Sequence, residues 1–184
     1  MPRRAATNDF FRQNVDLSKT NWFQVGGPAE WLFKPNDAQD LAAFLSTLPN
    51  EIPVTVLGIG SNIIVRDGGV DGVVIKLGRG FVSIKSEAET IEVGAGMLAL
   101  NLAHFACEQS IAGLEFMCGV PGTVGGMVRM NAGAYENDIS QVLVKAQLVE
   151  RDGRIHWLDN KDLGFSYRKS DFSPDAIVTA ATFK

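Results

Sequence analysis

Apolar and polar positions fall into short blocks along this chain, most of them closed by glycine or proline. "AEWLF" (29–33) predicts a strand that ends at Lys34-Pro35. Asn36 then stands as a helix N-cap with Gln39 in the capping-box position. Leu41, Phe44, Leu45 and Leu48 follow at helical spacing up to Pro49. "VTVL" (54–57) predicts a buried strand, and "IIV" (63–65), "VVIKL" (73–77) and "TIEV" (90–93) predict further strands between glycine or polar turns. "MLALNLAHFACEQ" (97–109) predicts a helix with Leu98, Leu102, Phe105 and Ala106 inward, and a second helix opens between Gly122 and Met130. "VLVKAQLVE" and "RIHWL" flank Arg151-Asp152-Gly153, a strong hairpin signal, and "AIVTAATF" (176–183) predicts a last strand after the loop "FSYRKSDF". Hairpins mixed with crossover helices predict an α+β fold rather than a doubly wound parallel sheet.

A length of 184 residues fits one domain or two small lobes, and 46% hydrophobic content is ordinary for a globular core. A formal net charge of −4 argues against a nucleic-acid partner, which favours a basic face. Apolar runs are too short to span a membrane, and Arg3 and Arg4 have no apolar region behind them to make a signal peptide. Cys107 and Cys118 lack metal-ligand spacing, so no metal site is expected, and both read as buried thiols of a cytoplasmic protein. His104 and His156 show no catalytic partner spacing. Trp22, Trp31 and Trp157 are too dispersed for a base-stacking platform.

Two glycine-rich loops carry the candidate chemistry. "GIGSN" follows the strand at 54–57, but Ile63 stands where a Rossmann fingerprint needs a third glycine, and no Gly-Lys-Ser/Thr follows. A plain turn and an anion-facing loop both remain open for it. "GVPGTVGG" (119–126) sets Pro121, Gly122 and the Thr123 hydroxyl before Gly125-Gly126 at a helix start. That pattern suits phosphate held by helical amides, and equally the close packing of a helix. Together the loops suit two linked phosphates held without arginine, as in a dinucleotide cofactor.

"TNWFQVGGPAE", "VTVLGIGSNIIVRDGGVDGVVIKL", "GLEFMCGVPGTVGGMVRMNAGAYENDI" and "FSYRKSDF" with "IVTAATF" together resemble the UDP-N-acetylenolpyruvoylglucosamine reductase family, from about Thr20 to Phe183. The resemblance implies a two-lobed FAD-binding domain of the p-cresol methylhydroxylase/vanillyl-alcohol oxidase type over 20–184. Its lobes would cover about 20–78 and 79–184, after an extension at 1–19. It implies that Leu57, Gly58, Gly60, Ser61, Asn62 and Ile63, with Gly119, Pro121, Gly122, Thr123, Gly125 and Gly126, cradle the FAD pyrophosphate. Asn131, Ala132 and Gly133 would lie near the flavin, and Ile177-Val178 would meet it by backbone.

In the family's reaction NADPH reduces FAD, and the flavin then reduces an enolpyruvyl ether of a UDP-sugar. "SYRKS" is similar to the family's Tyr-Arg-x-Ser segment, so Tyr167 would orient the substrate and Arg168 would stabilise the enolate-like charge. A cytoplasmic monomer acting in peptidoglycan precursor synthesis is expected. The family's C-terminal domain, with a serine in Gly-Ser-x-Phe-Lys-Asn-Pro and a late glutamate, has no counterpart in these residues. A piece of a full reductase and a short product that binds FAD without turnover both fit that difference. Another oxidoreductase of the same FAD-fold superfamily is a further alternative.

Overall fold

The computed structural model describes residues 11–184, so the first ten residues of the expected extension lie outside the described residues. The first sheet contains β1 (Phe11–Asp16), β2 (Pro28–Phe33), β3 (Val54–Val56) and β4 (Val70–Ile75) in the order β1-β2-β4-β3. β1 and β2 are antiparallel, while β2, β4 and β3 run parallel. Parallel pairing needs a crossover, and α1 (Ala38–Thr47) supplies it between β2 and β3. Its Leu41, Ala42 and Leu45 are buried with Phe33, Val73 and Ile75.

The second sheet holds β5 (Ile84–Glu87), β6 (Thr90–Gly94), β9 (Leu143–Val149), β10 (Ile155–Asp159) and β11 (Ile177–Phe183), ordered β10-β9-β11-β6-β5 and antiparallel throughout. Between β6 and β9 the chain forms α2 (Ala99–Glu108), α3 (Val124–Arg129), the short pair β7 (Gly133–Ala134) and β8 (Asn137–Asp138), and α4 (Ile139–Val142). Leu102, Met127, Val128 and Leu148 belong to one large buried cluster. Side chains alternate across a strand, so Val149 and Ile177 face the other way and join the α1 cluster of the first lobe. The middle of the second sheet is therefore buried on both faces.

Several elements differ from the sequence pattern, each for a local reason. Residues 63–65 form no strand; they sit in a loop whose backbone bonds run to the segment before β2, with Gly27 N–H donating to Arg66 O at 2.9 Å. Without a neighbouring ladder, β-branched residues alone do not make a strand. The 54–57 strand lies at a sheet edge, with only Leu57 of its residues buried. Within the expected extension, residues 11–16 pair with β2, and the Phe11 ring stacks on Trp31 at 5.0 Å. β5 escapes the apolar pattern because "IKSE" is mostly polar.

The helix caps also shift. Asp37, not Asn36, caps α1 by accepting from Asp40 N–H at 2.8 Å, and the Asp40 carboxylate reaches back to Asn36 N–H. The return bond goes to the residue before the cap rather than to the cap itself, one position off the capping-box pattern. In α2 the buried face is Ala99, Leu102, Ala103 and Ala106, while Leu98 precedes the helix and is exposed. Both cysteines are exposed rather than buried. Cys107 follows the inward Ala106, and Cys118 follows the inward Phe116 and Met117. The Asp152-Gly153 hairpin forms as expected, with Gly153 at φ +85°.

Leu148 is fully buried on β9, a strand paired on both sides. Leu148→Ala is expected to cost about 2–5 kcal/mol of stability, read as a lower denaturation midpoint at unchanged slope.

Candidate functional site

A cleft of about 270 Å³ opens between the two sheets, with Val54 and Val56 of β3 on one side and Ala176, Ile177 and Val178 on the other. That volume encloses only part of an extended dinucleotide. Seven residues singled out in the sequence line it: Leu57 and Gly58 from the first loop, Thr123, Gly125 and Gly126 from the second, and Ile177-Val178. The others expected at the cofactor do not line this cleft, and the expected residues as a whole fall into three groups.

The rest of the first loop holds the cleft rim in shape. Gly60 has φ +71°, a left-handed conformation suited to glycine. A Cβ there would lie 2.6 Å from Thr20 O, so the loop needs a bare backbone against the preceding segment. Ser61 Oγ donates to Pro121 O at 2.9 Å and ties the two loops together across 60 residues of sequence. Asn62 and Ile63 are exposed just beyond that tie.

In the second loop the two candidate roles for the Gly-Gly pair separate. Val124 N–H is bonded to Met97 O and Gly125 N–H to Ala95 O, both at 2.9 Å, so these first helical amides are not free for an anion. Gly125 exists for close packing: a Cβ on it would sit 3.0 Å from Ala95 Cβ. Gly126 differs, since a Cβ there would meet only Thr123 Oγ1, at 3.9 Å, and would project into the cleft. A Cβ on Gly58 would approach Thr123 Oγ1 to 2.7 Å. Gly58, Thr123 and Gly126 thus form a bare backbone cradle with one hydroxyl in it. Gly119 packs under the Tyr135 ring, and Gly122 lies beside Ser61 Oγ.

The third group forms a separate constellation. Asn131 is 2% exposed and at φ +41°; its Oδ1 accepts from Ser140 N–H and its Nδ2 donates to Ser166 O at 3.0 Å. Those bonds occupy the side chain and make Asn131 an anchor for the turn that carries Tyr167 and Arg168. Ser166 and Lys169 close that turn by mutual backbone bonds, and Ser170 Oγ donates to Arg129 O at 2.7 Å. Arg168 sits at φ +56°, with Nη2 donating to Gly133 O at 2.7 Å and its guanidinium over the Tyr167 ring at 5.4 Å. The "MNAG" and "SYRKS" segments, distant in sequence, therefore meet. Both Tyr167 and Arg168 are exposed, with Tyr167 at 88%.

Arg129, not foreseen from the sequence, also lines the cleft. Its Nη1 donates to Phe172 O at 3.3 Å and Ser173 O at 3.1 Å, and its guanidinium stacks 4.4 Å above the Phe172 ring. The cleft is therefore not charge-free, although neither glycine loop contributes an arginine to it. Helical spacing held the signal, because Arg129 falls three residues after Gly126 and so shares its face. Pro174 and Ala176 were missed for want of any chemical mark. Among the described residues no helix is long and apolar enough to cross a membrane, and no group of His, Cys, Asp and Glu side chains is arranged to hold a metal ion.

The chain belongs to the FAD binding domain family, whose sequence model matches residues 29–159. It is 51% identical over 171 residues to the UDP-N-acetylenolpyruvoylglucosamine reductase of Azorhizobium caulinodans, covering 93% of this chain and 56% of that one. It is 46% identical over 185 residues to the reductase of the same name from Methylorubrum populi, covering 98% of this chain and 60% of the relative. The chain therefore spans between 56% and 60% of the length of these relatives. The crystal structure of the Thermus caldophilus UDP-N-acetylenolpyruvylglucosamine reductase superposes with a TM-score of 0.81 at 36% identity, over 95% of this chain and 62% of that one. Physcomitrella patens BBE-like 1 shares the fold alone, at a TM-score of 0.59 and 22% identity. The expected α+β class and p-cresol methylhydroxylase/vanillyl-alcohol oxidase type both hold.

The two glycines of α3 should respond differently to alanine. Gly126→Ala is expected to leave stability unchanged or raise it by up to about 1 kcal/mol, the helix-propensity gain. At Gly125 overpacking of about 1–3 kcal/mol offsets that gain, so its melting temperature should fall below that of Gly126→Ala.

Proposed function

We propose that this chain is the flavin-binding portion of a UDP-N-acetylenolpyruvoylglucosamine reductase, acting in the cytoplasm in peptidoglycan precursor synthesis. It would serve the NADPH-dependent reduction of UDP-N-acetylglucosamine enolpyruvate to UDP-N-acetylmuramate. The observation that carries this reading is the cradle of Gly58, Thr123 and Gly126, held in register by the Ser61–Pro121 bond. Similarity to the named reductases at 46–51% identity supports the particular reaction.

The residues present fit the cofactor. Gly126 leaves room for a ligand to approach the backbone, Gly58 lets Thr123 sit against the first loop, and the Thr123 hydroxyl offers a polar contact at the same place. Bound FAD would supply hydride chemistry, which no amino-acid side chain provides. Ile177 and Val178 form the apolar wall that excludes water from that end of the cleft. Arg168 carries a fixed positive charge on an exposed turn anchored by Asn131 and Gly133. A cation held so, beside a substrate carboxylate, stabilises charge that develops during reduction of the adjacent double bond. Tyr167 stands next to it to orient the substrate.

Titration of the purified protein with FAD, followed by flavin fluorescence and visible absorption, is expected to show saturable binding with a perturbed spectrum. A folded protein that leaves the flavin spectrum unchanged would overturn the reading. Gly126→Ala should weaken FAD binding by about tenfold while the protein stays folded, because its methyl enters the cleft. Arg168→Ala should keep FAD affinity within about twofold and lower kcat/KM at least about a hundredfold in the complete enzyme. Equal loss of both properties would remove Arg168 from the substrate side.

A further inference from the structure

We infer that Arg129 is the cation that holds the diphosphate of the bound dinucleotide, an inference that rests on the flavin reading above. Among the residues lining the cleft it is the one ionisable side chain; the others are neutral, and no carboxylate balances it. Nor does Arg129 take part in any ion pair among the described residues. A half-buried guanidinium in a neutral wall is poorly solvated, and an anion that meets it gains charge-assisted hydrogen bonds.

The geometry points to the diphosphate rather than the ring. Both carbonyl bonds, to Phe172 and Ser173, use Nη1, and the face of the guanidinium is occupied by the Phe172 ring. These contacts hold the group in place and leave Nη2 and Nε without a partner among the described hydrogen bonds. Arg129 lies one turn beyond Gly126 on the same face of α3. A helical side chain covers the turn N-terminal to its own Cα. That turn carries Gly126, whose missing Cβ leaves the cleft open, and follows Thr123, whose hydroxyl packs against Gly58. Bare backbone, one hydroxyl and one cation together make a diphosphate site.

The purified protein and its Arg129→Gln and Arg129→Lys variants would be titrated with FAD. The midpoint potential of the bound flavin would be measured in each by equilibration with a reference dye. Arg129→Gln is expected to raise the FAD Kd at least about tenfold, and Arg129→Lys, which keeps the charge, to raise it less than about threefold. The potential should be the same in all three, because a charge at the diphosphate is remote from the ring. Equal weakening in the two variants would reduce Arg129 to a structural strap for residues 172–174 and overturn the inference. So would FAD affinity unchanged in Arg129→Gln. A lowered potential in Arg129→Gln, with or without weaker binding, would place the guanidinium at the ring and also overturn it. A folded wild-type protein that binds no FAD would instead remove the flavin reading itself.

Discussion

The structure depends on two strands that serve two cores at once. β9 and β11 turn Leu148 and Val178 toward the helices of the second lobe, and Val149 and Ile177 toward α1 and the first sheet. Burial on both faces fixes their register, since a shift by one residue would exchange the two sets of side chains. The cleft is the open end of that shared wall, where Ile177 and Val178 emerge opposite Val54 and Val56. Its width is thus a packing distance and does not rest on the conformation of a free loop.

Onto this wall the two glycine loops add backbone approach, and their glycines have different tasks. Gly60 and Gly125 let protein meet protein, against Thr20 and Ala95. Gly58 admits the Thr123 side chain, and Gly126 leaves room at the cleft. A count of glycines therefore overstates the size of a binding site; only those whose missing methyl would point into open space belong to it. The exposed Tyr167-Arg168 turn stands apart from the cradle and is held by Asn131.

Much of this was legible in the sequence where one residue type has one physical meaning. The α1 helix, the Asp152-Gly153 hairpin and β11 follow from periodicity and turn chemistry, and seven of the expected cofactor residues line the cleft. What was not legible depended on partners distant in the chain. Whether Ile63–Val65 form a strand is decided by a missing neighbour, and β1 exists because β2 offers an edge to a mostly polar segment. The phosphate and packing explanations of Gly125-Gly126 were equally consistent with the motif; the position of Ala95 accounts for Gly125 by packing, while Gly126 faces the cleft. Asn131 is expected near the flavin by resemblance alone; its amide bonds to Ser140 and Ser166 join positions 9 and 35 residues away and leave no mark in the local sequence. A single arginine near a helix end is common, and nothing in the local sequence tells that the other residues lining the cleft with Arg129 are neutral.

The position of β11 also bears on how the molecule assembles. It enters the second sheet between β9 and β6, and its residues 180–183 pair with 91–94, nearly ninety positions earlier in the chain. Until it arrives, β6 and β9 have no common neighbour, and the wall bearing Ile177 and Val178 does not exist. Contacts of such sequence separation form late and slowly. During synthesis, both glycine loops emerge from the ribosome well before the strand that completes the cleft between them. Cofactor capture is accordingly a closing event of folding in this lobe, and the nascent sheet passes through a stage with two unpaired edges exposed to other chains.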